Sequence, residues 1–104
     1  MIVAAVKPDM ALDLLRDCLG GAGRVIPGKH FREELAAEGL AMADAWHVLR
    51  VGLIFDPPEP DIKTGEWKYR VEGCVPDGKE IGIVFSFKQV NLAYLITVFS
   101  IGAR

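Results

Sequence analysis

The chain has no glycine-rich phosphate loop, no zinc-ligand spacing and no nucleophile elbow, which removes the enzyme classes that announce themselves by short motifs. Neither a cofactor nor a metal is expected. Cysteine is scarce: Cys18 and Cys74 stand far apart and, without a secretory signal, read as reduced and buried thiols. No apolar run approaches the roughly 20 residues that a membrane span needs. The run from Ile2 to Val6 is too short for a signal core and lacks a basic flank. A cytoplasmic protein without a membrane partner is therefore expected. A basic surplus is also missing, with 12 Lys and Arg against 14 Asp and Glu and a formal charge of −2. Phosphate neutralisation uses lysines and arginines, so any basic surface must be a local patch on an acidic body.

What is present is an ordinary globular composition, 51% hydrophobic and 25% charged over 104 residues, the size of one domain spanning 1–104. Pro8 and Asp9 followed by Leu12, Leu15 and Leu19 predict an amphipathic helix that ends at Gly20-Gly21. Arg24 to Pro27 reads as a short extended link. A second helix is expected from Lys29 to Glu38, with Phe31 and Leu35 inward and Gly39 as its stop. A third follows Leu40, with Ala45, Val48 and Leu49 inward and Gly52 at its end. The three prolines between Asp56 and Asp61 remove donors and fix φ, predicting an exposed loop that divides a helical half from a sheet half.

Beyond Glu66 the period becomes two. Trp67, Tyr69 and Val71 alternate with Lys68, Arg70 and Glu72, as in a half-buried strand. Pro76-Asp77-Gly78 marks a turn. Ile81, Ile83, Phe85 and Phe87 form the next strand, and Ala93 to Phe99, apolar on both faces, a third. Val51 to Phe55 is a candidate fourth. The expected fold is α+β, with N-terminal helices packed on a C-terminal antiparallel sheet of three to four strands.

Few polar residues stand out. His30 opens the second helix and can pair with Glu33 or Glu34, as on any helix surface, or serve as a general acid or base. Arg32 could then hold a phosphate. His47 and Trp46 read as structural. Lys68 and Arg70 share a strand face and form the best basic pair, suited to a phosphodiester or to pairing with Glu66 and Glu72. Thr97 is the lone hydroxyl of the last strand, expected to bond to nearby backbone.

The order of these parts carries a resemblance. His30-Phe31-Arg32-Glu33-Glu34-Leu35-Ala36-Ala37-Glu38-Gly39-Leu40 precedes a helix ending in Gly52, then Tyr69-Arg70-Val71-Glu72-Gly73, the strand Ile81 to Phe85, and Leu95-Ile96-Thr97-Val98-Phe99. From about Gly28 to Ile101 the chain resembles a bacterial family of small domains of unknown function. That family is distantly similar to RelE/ParE and BrnT toxins, within the barnase–EndoU–colicin–RelE-like ribonuclease fold. The resemblance implies a RelE-like toxin of a toxin–antitoxin pair and a metal-independent endoribonuclease acting on RNA. His30 would be its acid or base, Arg32, Lys68 and Arg70 its phosphate ligands, and Thr97 would line the site. The family pattern has arginine at two positions where this chain has Glu34 and Glu38, which reverses the sign of any contact with phosphate. The alternative reading is a non-catalytic protein-binding module or degenerate family member acting through a homodimer or association with a partner.

Overall fold

Local sequence accounts for the three helices of the computed structural model, which describes residues 3–102. α1 (Pro8–Asp17) begins on a proline whose missing N–H goes unused in a first turn, and it buries Ala11, Leu12 and Leu15. It does not simply stop at Gly20. The chain continues as a π-helical turn, Cys18–Ala22, in which Gly21 takes φ +100°, a value that glycine adopts without a Cβ clash. α2 (Lys29–Ala37) buries Phe31 and Leu35, and Gly39 follows it at φ +71°. α3 (Met42–Val51) opens where the Asp44 carboxylate accepts the Ala41 N–H at 2.9 Å, and it buries Ala45, Val48 and Leu49.

The α+β class holds, but the sheet is larger than periodicity indicates and is mixed. Its five strands are β1 (Arg24–Pro27), β2 (Glu59–Pro60), β3 (Trp67–Cys74), β4 (Glu80–Gln89) and β5 (Leu92–Ser100), in the order β1-β5-β4-β3-β2. β3, β4 and β5 form the expected antiparallel meander. β1, expected as a short extended link, runs parallel to β5 as a strand of the sheet, with Val25 opposite Ala93. Four residues are too few to display a period, and their partner lies at the far end of the chain. The helices are therefore not segregated from the sheet in sequence. The proline segment also contributes: Glu59 and Pro60 pair with Lys68 and Trp67 at the sheet's other edge, where a residue without an N–H is tolerated. The candidate strand from Val51 to Phe55 reduces to one bridge, Leu53 to Glu72.

One sheet face meets the helices. Tyr69, Val71, Ile81, Ile83, Phe85, Phe87, Ala93, Leu95 and Val98 pack there with Leu15, Phe31, Leu35, Val48 and Leu49. Tyr69, Phe85 and Phe87 meet at centroid separations of 5.5–5.6 Å, and the Tyr69 hydroxyl accepts the Val6 N–H at 3.0 Å. Cys18 lies in this core as expected. Cys74 does not: it is exposed where β3 runs into its turn, and both thiols are free.

β5 carries a β-bulge opposite the Val84–Phe85 step of β4. Val84 opposes Thr97 and Phe85 opposes Leu95, so Ile96 is an extra residue without its own partner on β4. Strict alternation would place Thr97 on the same face as Leu95. The added residue shifts the phase, so Val98 enters the core and Thr97 turns to the opposite face of the sheet.

Candidate functional site

α2 lies in line with β1, and together they cover one edge of β5. β1 ends at Pro27, and the Gly28 N–H donates to the Leu95 carbonyl at 3.0 Å before the chain enters the helix. A Cβ at residue 28 would sit 2.5 Å from the Tyr94 hydroxyl, so this close turn requires glycine. Beyond Leu95, β1 no longer pairs with β5, and the outward N–H groups of β5 would form an open edge.

His30, Glu34 and Glu38, spaced four apart, make one stripe of α2 along that edge. One Glu34 oxygen accepts the Thr97 hydroxyl and lies 3.4 Å from the Val98 nitrogen. One Glu38 oxygen accepts the Ser100 N–H at 3.2 Å and the Ser100 hydroxyl at 2.6 Å. The Ser100 hydroxyl, with a smaller contribution from the Lys79 ammonium, holds the Glu38 carboxyl below the usual carboxylate range. His30 Nε2 lies 3.2 Å from the Glu34 oxygen that Thr97 also meets. Glu34 and Glu38 thus supply the acceptors that the edge of β5 lacks.

Of the residues singled out from sequence, His30 and Thr97 are brought together, and Glu34 joins them. Thr97 bonds to this side chain and not to nearby backbone as expected. Arg32 is left out: it is exposed, and its guanidinium makes no ion pair among the described residues. Arg70, Val84 and Thr97 form one row across β3, β4 and β5, which places Arg70 about 10 Å from Thr97, two strand spacings away. Lys68 lies in the neighbouring row.

Lys68 and Arg70 are both already engaged. Arg70 Nη2 lies 2.7 Å from Asp56 and its Nε 3.0 Å from Glu72, which is only 8% exposed. Lys68 Nζ lies 3.8 Å from Asp61. The backbone N–H groups of Thr64 and Lys63 hold the Asp61 carboxyl below its ordinary range, with Lys68 a weaker contributor. A cleft of about 140 Å³ separates these groups, lined by Asp56, Glu59, Lys68 and Arg70 with Pro57 and Val84, so its acids match its bases in number. Glu66, a proposed partner of Lys68, turns to Lys88 at 2.8 Å instead, and Lys88 also sits 5.2 Å from the Tyr94 ring centre. Sequence reasoning missed Asp56 and Asp61 as partners, because a loop of irregular backbone gives no register from which to read them. His47 and Trp46 lie half-buried on α3, with Trp46 packed against the core as expected.

No protein-family model, curated protein or solved structure matches the chain. Among the described residues no group of three His, Cys, Asp or Glu side chains could hold a metal ion, and no helix is long and apolar enough to cross a membrane. Chemically, one Glu34 oxygen stands between the His30 imidazole and the Thr97 hydroxyl. It presents negative charge where a phosphodiester would need positive charge. At 4 Å, two unit charges interact by about 1 kcal/mol in water and about 4 kcal/mol near a protein surface, so the sign at residue 34 matters.

Proposed function

We propose that this chain is a toxin-like protein of the RelE/BrnT type that acts by binding a protein partner and does not itself cut RNA. One observation carries the reading: Glu34 occupies the centre of the site, bound to both His30 and Thr97, while Lys68 and Arg70 are paired with carboxylates. A phosphate arriving there would meet Glu34 directly and would have to displace Asp56, Glu72 or Asp61 to reach a cation.

Expression of the folded protein alone in a bacterium should leave growth and total RNA unchanged. Size-exclusion chromatography with light scattering should show a dimer, or a complex with a separately identified partner. The second reading is a metal-independent endoribonuclease paired with an antitoxin, favoured by His30 and Thr97 meeting at Glu34 and by Arg70 standing in the same row of the sheet as Thr97. Growth arrest or RNA cleavage, relieved by His30→Ala and Arg70→Ala, would establish that second reading in place of the first.

A further inference from the structure

Most of the cations on the sheet and its borders are tied up by carboxylates, Lys68, Arg70, Lys79 and Lys88 among them. One basic cluster differs. Between the π-helical turn, β1 and α3 runs a groove of about 420 Å³, and a smaller hollow adjoins it through Leu19 and Arg50. Arg24 and Arg50 line the groove, and Arg16 lines the hollow. Among the described residues no Asp or Glu lines either space. Arg16 is fixed by donating to the Gly52 carbonyl at 2.8 Å, whereas Arg24 and Arg50 are exposed and make no ion pair among the described residues. The apolar part of the groove is Leu19, Val25 and the indole of Trp46.

From this cluster we infer that the groove is the docking site for an acidic protein segment that carries an apolar side chain among its carboxylates. The proposal rests on the protein-association reading above and names the partner's chemistry. Guanidinium forks match carboxylates in plane and spacing, and Leu19 with Trp46 gives an apolar side chain a surface to cover. A nucleic acid also carries negative charge, but it needs cations along its whole backbone, and among the described residues the cluster ends after three arginines. Among the described residues no Asn, Gln, Ser or Thr lines the groove to read a base edge. β1 is the terminal strand of the sheet, so among the described residues the side of its backbone away from β5 has no strand partner. A peptide can use those groups; a nucleic acid cannot pair with them as a strand.

The test uses the full chain and a short labelled peptide in which glutamates alternate with leucines, followed by fluorescence anisotropy at low salt. An oligouridylate of equal charge serves as the comparison. The peptide should bind, quench Trp46 fluorescence and lose affinity as salt rises. Arg24→Glu combined with Arg50→Glu should weaken binding by about tenfold or more for each reversed charge. Both positions are exposed, and an unchanged circular dichroism spectrum would show that the variant folds. Absence of peptide binding, equal binding by the double variant, or preference for the oligouridylate would overturn the proposal. An identified partner held equally by wild type and double variant would also overturn it while leaving the protein-association reading intact. RNA cleavage would instead defeat that reading itself.

Discussion

Glu34 offers the sharpest test of whether the acidic stripe is structural. Glu34→Ala removes the acceptor of the Thr97 hydroxyl and the Val98 N–H together with the partner of His30. Hydrogen bonds to charged groups contribute about 1.5–3 kcal/mol each, but the Val98 contact is long and the Glu34 side chain is about a third exposed. Water will also satisfy part of what is lost. A net cost of about 2 kcal/mol follows. For a domain of this size that corresponds to a fall in Tm of about 8–16 °C, or a fall in urea midpoint of about 1–2 M. Glu34→Gln keeps an acceptor and should cost about half as much. Glu33→Ala is the control, because Glu33 is exposed and only 4.0 Å from Lys29, and it should move stability by less than about 0.5 kcal/mol. A cycle with Thr97→Val should return a coupling of about 1 kcal/mol, since the two residues share one bond. Glu34→Ala matching Glu33→Ala within error, or a more stable Glu34→Ala protein, would refute the argument. The latter is the pattern expected of a site residue held at a cost to stability.

Acid should act on the same edge. The folded-state pKa of Glu38 is depressed, so its contribution is present above its unfolded value and is lost as pH falls through the lower folded one. Urea midpoints measured downward from pH 6 should therefore fall less steeply for Glu38→Gln than for wild type, and parallel curves would count against the bond to Ser100. Gly52→Ala should cost about 2–3 kcal/mol, because a Cβ there would lie 2.6 Å from the carbonyls of Val48 and Glu72, neither of which can move freely. Gly82→Ala would meet only the end of the Phe99 ring at 2.5 Å, and should cost less because that ring can swing over the open face. Thermal unfolding of both variants checks the order. A thiol reagent should titrate Cys74 rapidly in the native protein and Cys18 only on unfolding, since burial removes access to Cys18 and pushes its pKa up. Two equally fast thiols would place Cys18 outside the core.

Local sequence determined the elements whose causes are local. The apolar stripe of Phe31 and Leu35, the glycine at φ +71° after α2, and the alternation from Trp67 to Val71 each act within a few residues, so α2 and β3 were legible directly. The sequence also set the signs of charge at residues 34 and 38. Tertiary structure decided what those charges do. β1 became a strand only because Leu92 to Leu95 came alongside it, and Asp56 reached Arg70 only because the proline loop folded back to the edge of β3. The bulge at Ile96 is the deepest case, since hydrophobicity in Leu95-Ile96-Thr97-Val98 fits either phase of a strand. Pairing with β4 chose the phase that buries Val98 and turns Thr97 out toward Glu34. That choice sums packing over a whole sheet, and no short window of sequence contains it.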